Sequence, residues 1–283
     1  MRQAIVPRDR RAHALIYVVL FLVIALGLLF PGLIKSTPAA EATEAYALLG
    51  RAGSGRAVLL VYHGIAGDAQ RQATAILRQV LGQGAVVMTA AASETAAGEL
   101  DRILRAELAR SGRGYGTAAV NLGYRERAAN EEFVLAVTRD FYAAADGRDH
   151  GGADLDLLPL THTFRRLDQA SLWGVVAGGA ANAVAAAESI SRDYPVPLLV
   201  AASGDAAALA GQLWQEGRLA GALGSGKVVT DYEALVEGDG TASRRMTALS
   251  LGTLFIVALI VWAYLSGFIT RRRRATLVGG ISA

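Results

Sequence analysis

RAVLLVYHGIAGDAQRQATAILRQVLGQGAVVMT, from Arg56 to Thr89, is the stretch that decides the fold. Val58 to Tyr62 is a short apolar run with the length and branched content of a buried strand. Asp68 opens a helix whose apolar positions Ala73, Ile76, Leu77, Val80 and Leu81 recur at helical spacing, and Gly82 and Gly84 stop it. Ala85 to Thr89 (AVVMT) is then a second strand. Neither strand alternates with polar residues, so both faces of the sheet must be covered. Strands covered on both faces and separated by helices run parallel, joined by right-handed crossovers.

The same alternation continues toward the C-terminus. Ser93 is placed to cap a helix reaching Arg110, Thr117 to Leu122 (TAAVNL) reads as a third strand, and a helix follows from Ala128 to Ala144. A loop from Asp146 to Pro159 leads toward a fourth strand, Leu172 to Ala177, then an alanine-rich helix, a fifth strand from Pro197 to Ala202 and a helix over Ala206 to Glu216. The expected fold is α/β: a three-layer sandwich with a mostly parallel sheet of about five strands, spanning residues 56–218. Upstream, a short helix over Ala40 to Leu49 and the glycine-rich joint Gly50 to Gly55 read as a linker, residues 34–55. Residues 219–245 are less regular and read as a return segment toward a membrane.

That membrane is implied by both ends of the chain. Hydrophobic residues make up 53% of the sequence, above the about 45 to 50% of soluble domains, so the excess belongs in lipid or in a large core. Residues 14–33 (ALIYVVLFLVIALGLLFPGL) carry no charge and have the length of a helix that crosses a bilayer. The small residues Pro38-Ala39-Ala40 raise the alternative of a cleaved signal peptide, but its apolar core would run only about 7 to 15 residues. An uncleaved signal anchor is the preferred reading. Residues 246–269 form a second uncharged run with Trp262 and Tyr264 near its far end, where amphipathic rings favour the interface. Within it, Ala263 and Gly267 have the small-xxx-small spacing that allows close helix packing.

Charge supplies the orientation. The formal net charge is +3, yet Arg2, Arg8, Arg10 and Arg11 against Asp9 give the first tail (1–13) +3, and Arg271 to Arg274 give the last (270–283) +4. The remainder of the chain therefore carries −4. Basic clusters stay in the cytoplasm, which implies a protein of the cytoplasmic membrane with both termini cytoplasmic and the central domain in the periplasm or extracellular space. The pI of about 9.3 thus reports tails, and a mildly acidic folded part argues against a nucleic-acid partner. The absence of cysteine excludes disulfides, thiolate metal sites and a cysteine nucleophile.

Ligands of an open parallel sheet gather at the carboxyl ends of its strands, beside helix N-termini. The loops there offer His63, Gly64 and Asp68; Thr89 and Ser93; Asn121, Gly123 and Tyr124; Gly178, Gly179 and Asn182; and Ser203, Gly204 and Asp205. Each has a structural explanation too, since Ser, Asp and Asn cap helices and Gly makes tight turns. Tyr62 to Gly67 (YHGIAG) looks like the His-Gly oxyanion loop of α/β-hydrolases, where backbone N–H groups stabilise an oxyanion. The nucleophile elbow G-x-S-x-G that such an enzyme needs is absent, and Gly174 to Gly178 (GVVAG) has Val where Ser belongs. A triad of His63, Ser203 and Asp205 is the alternative route to hydrolysis.

Gly221 to Val228 (GALGSGKV) invites comparison with a phosphate-binding P-loop, but Val228 replaces the magnesium-binding Ser or Thr, and the segment is expected after a helix. His150 and His162 have no partner at ligand spacing, so no metal and no cofactor is expected. Arg125-Glu126-Arg127 and Glu131-Glu132 read as the solvated start of a helix or as a polar contact surface.

Val120-Asn121-Leu122-Gly123-Tyr124, together with Asp231-Tyr232-Glu233-Ala234-Leu235 before the second apolar run, resembles uncharacterised bacterial membrane proteins with one extracytoplasmic α/β domain between two transmembrane helices. Arg125-Glu126-Arg127 departs from the glycine-containing continuation of that group. The resemblance implies the architecture and transfers no catalytic residue. The expected function is a membrane-anchored binding or assembly module, a subunit working with the lipid bilayer and with other membrane proteins or a second copy. A tethered hydrolase and a purely structural subunit are the alternatives.

Overall fold

The computed structural model describes residues 37–64, 67–126, 130–237, 251–253 and 255–257. Thr37–Gly238 forms one compact unit. Of the other, Met1–Ser36 with Asp239–Ala283, the described residues 251–253 and 255–257 are helical. No helix among the described residues is long and apolar enough to cross a membrane. Apart from those six residues, the two expected anchors lie outside the described residues, as do Ala263 and Gly267.

The domain is built on β1 (Ala57–Tyr62), β2 (Val86–Ala91), β3 (Ala119–Asn121), β4 (Leu172–Gly178), β5 (Leu198–Ala202) and β6 (Gly221–Leu223). All are parallel, in the order β3-β2-β1-β4-β5-β6. The helices are α1 (Ala40–Gly50), α2 (Asp68–Gly82), α3 (Glu94–Ser111), α4 (Asn130–Arg139), α5 (Phe141–Ala144), α6 (Pro159–Thr163), α7 (Ala181–Ser191), α8 (Gly204–Gln215) and α9 (Lys227–Glu237). Successive strand residues point to opposite faces. Val58, Leu60 and Tyr62 of β1 therefore join a core under α1, α2, α3 and α9, while Leu59 and Val61 join a second core under α4 to α8. The result is the expected three-layer α/β sandwich. The chain reverses its winding after β3, which places the topological switch between β1 and β4.

Local chemistry sets the element ends. The Ser93 hydroxyl caps α3 by accepting from the Ala96 N–H at 3.2 Å, and Gly112 ends that helix in the left-handed region at φ 67°. The single helix expected over 128–144 is two: the Asp140 carboxylate accepts from the N–H groups of Tyr142 and Ala143 and starts α5 afresh.

The sheet has six strands where about five were expected, and the extra one lies in the segment read as a return to the membrane. β6 is three residues long, too short to show a period, and its Gly221 is packed so tightly that a Cβ there would stand 2.8 Å from Leu199 and 3.1 Å from Leu48. α9 follows it and buries Val229 and Tyr232. The stretch read as a linker also belongs to the domain, because α1 buries Ala42, Ala45 and Leu49 beside β6 and α9. Asp231 ties these ends together, accepting from the Ala39 N–H at 2.8 Å and pairing with Lys227. Farther along α9, Glu237 and the nearly buried Glu107 of α3 both pair with Arg78 of α2.

Candidate functional site

The loops after β1 and β4 meet at the switch point. A Cβ on Gly64 would collide with the Cβ of Ala69, and one on Gly178 would stand 3.1 Å from the Gly64 Cα. Gly178 is also left-handed (φ 56°) at an irregularity in the β4–β5 pairing, a combination that favours glycine. On the α2 side, backbone and Ala69 fill the notch where such sheets ordinarily take ligands. Free volume opens on the opposite face instead.

There a cavity of about 460 Å³ lies between α4 and α7, with His63 and Val175 at the sheet. Among the described residues its polar groups are His63, Ser93, Asn182 and Ser189, the rest is aliphatic, and no Asp, Glu, Lys or Arg lines it. Its size falls in the about 300 to 1,000 Å³ of small-molecule sites. The His63 backbone N–H donates to Val176 O at 2.8 Å, fixing the residue at the end of β1. The half-buried imidazole has no hydrogen-bond partner among the described residues. Burial lowers its pKa from the ordinary 6.5 to about 4, so it is neutral at neutral pH and offers one donor and one acceptor.

The other expected site residues have different places. Asn121 is fully buried: its Oδ1 accepts from Thr89 Oγ1 at 3.2 Å and from the Gly123 N–H at 3.0 Å, and its amide donates to Ala97 O at 3.4 Å. The Asn121 N–H donates to the Tyr115 hydroxyl, which in turn donates to Asp149 at 2.8 Å. Gly123 is left-handed at φ 73° against His150, and the half-buried Tyr124 ring meets Phe133 edge-on at 5.9 Å. Asp68 sits in the first turn of α2, 3.3 Å from Arg71. Gly179 and Asp205 are exposed.

Ser203 donates its backbone N–H to Gly178 O at 2.7 Å and precedes α8 without a side-chain cap bond. Neither Ser203 nor Asp205 lines the cavity of His63, and no hydrogen bond among the described residues joins the three. Sequence order had made them neighbours of a crevice; β4 stands between the strands that carry them.

The Gly221–Val228 stretch comes after a helix, α8, as expected, although its turn, residues 224–226, follows the short strand β6. Its first glycine is nevertheless inside the strand, only residues 224–226 separate β6 from α9, and the Lys227 ammonium is held by Asp231 and by Thr37 O at 3.0 Å. The cradle of a P-loop is not formed. Among the described residues no group of three or more metal-ligating side chains is found.

Sequence reasoning had not pointed to the aliphatic wall of the cavity, Val134 and Leu135 on α4 and Ala183, Ala186 and Ile190 on α7. Their helical spacing looks like ordinary core packing. The small side chains of α7 leave a gap that larger ones would have closed. No family model, no curated protein and no solved structure matches the chain.

Proposed function

We propose that this protein is a membrane-anchored extracytoplasmic binding module that takes a small ligand in the His63 cavity and serves as a subunit of a membrane complex. The observation that carries the reading is the cavity itself, at the carboxyl end of the sheet, with a hydrogen-bonding side chain inside it that has no partner among the described residues. Ligand sites combine such apolar walls with a few placed polar groups. The two uncharged runs and their flanking arginines support the anchoring, with both termini cytoplasmic.

Two experiments test this. The full chain, extracted with its native lipid in polymer discs, is expected to retain a small molecule identifiable by mass spectrometry after solvent extraction. Ala186→Trp, which fills the cavity, is expected to lose it; identical extracts from both would remove the receptor reading. For the topology, Ser203→Cys in this cysteine-free chain is expected to react with an impermeant maleimide in intact cells. Labelling only after lysis would overturn the orientation.

A further inference from the structure

The walls of the cavity constrain what it can hold. A charged ligand group would leave water for a space in which the described residues supply no countercharge, and burying an unpaired ion costs far more than burying a hydrogen-bonded neutral group. The polar groups at hand are neutral: two hydroxyls, a carboxamide and an imidazole. The Ser93 hydroxyl already accepts from the Ala96 N–H, and Asn182 stands at an exposed position on the first turn of α7. His63 is left as the group at the sheet whose side chain bonds to none of the described residues. The opposite wall, Val134 and Leu135 facing Ala183 and Ala186, is apolar along the groove between the helices.

We propose that the His63 cavity selects an uncharged, mainly apolar molecule with one terminal hydrogen-bonding group, a long-chain or aromatic alcohol or its neutral ester, docked with that group on the imidazole. This rests on the small-ligand reading given above. The imidazole is the neutral form at neutral pH, because burial holds it there. It can thus accept from a hydroxyl or donate to a carbonyl. The acyl or aryl body lies between α4 and α7, where the alanines of α7 admit it.

The test reads His63 directly in the full chain, held in phosphatidylcholine discs near neutral pH. Diethyl pyrocarbonate modifies neutral imidazoles, and peptide mass spectrometry follows His63 with His150 and His162 as internal controls. Phenylbutanol at saturation is expected to slow modification of His63 by about fivefold or more and leave the controls unchanged. Phenylbutanoate and phenylbutylamine are expected to protect at least about tenfold more weakly, since each must bury its charge. Monooleoylglycerol placed in the disc is a second neutral probe; whichever neutral probe protects at the lower amount tells an aqueous source from a bilayer source.

Ala186→Trp is expected to abolish protection by the neutral probes. Equal or better protection by the acid or the amine would leave the cavity as a binding site and overturn its uncharged specificity. Protection by none of the probes would overturn the small-ligand reading itself.

Discussion

The loop after β1 and the loop after β3 begin alike, with a polar side chain and a glycine at the end of a buried strand, yet they do opposite things. After β3, Asn121 spends its side chain on Thr89, Ala97 and Gly123. Its backbone N–H goes to Tyr115 and its carbonyl accepts from the His150 N–H at 2.8 Å. After β1, only the backbone of His63 is spent on the described residues, and the imidazole faces a cavity. A polar residue at a strand end is therefore a site or a staple according to what packs around it. Around Asn121 the neighbouring strand, α3, Tyr115 and the returning segment 146–154 take up its polar groups between them; around His63 the alanines of α7 leave space.

The largest effect that would break this contrast is at the glycine beside His63. Gly64→Val is expected to destabilise the domain by about 3 kcal/mol, because the new side chain meets Ala69 and the backbone of Gly178 at once. Denaturant unfolding of the full chain measures it; a variant as stable as wild type would mean that the switch point is open and that the cavity is not the sole outlet there.

Asn121→Ala is expected to cost about 2 kcal/mol, since buried partners lose their bonds, with the reactivity of His63 toward diethyl pyrocarbonate unchanged. A matching change at His63 would join the two loops into one site. Tyr115→Phe removes one hydroxyl from the same network, between the Asn121 N–H and Asp149, and is expected to cost about 1 kcal/mol in the same unfolding measurement.

The smallest effect at neutral pH is His63→Gln, expected within about 0.5 kcal/mol of wild type because the imidazole bonds to none of the described residues. Its signature lies in acid. The folded pKa of about 4 is below the ordinary 6.5, so the unfolded chain binds the proton first and wild-type stability falls as pH drops between those values. Unfolding curves across that window are expected to be shallower in pH for His63→Gln by up to one proton. Equal slopes would mean that His63 is as solvated as an unfolded histidine.

Much of the fold was legible because its period was. β1, β4 and β5 are runs without a polar side chain inside them, β2 is apolar but for Thr89, and α2 repeats its buried face over fifteen residues. β6 was not, since three residues show no period, and α1 was legible as a helix but not as part of the domain, since its small residues mark no face. The switch-point glycines were visible as glycines, but their contact joins residues 64 and 178, which only the crossover brings together.

By itself the sequence determined the class of the domain, two uncharged runs near the ends of the chain and the split between basic tails and a mildly acidic middle. These depend on local order: which residues alternate, which run together, where charge accumulates. Tertiary structure decided which polar strand ends were consumed, that Ser203 lies apart from the His63 cavity, and that the cavity opens between α4 and α7. Those outcomes depend on the volume left between side chains from distant segments, a quantity that no local pattern encodes.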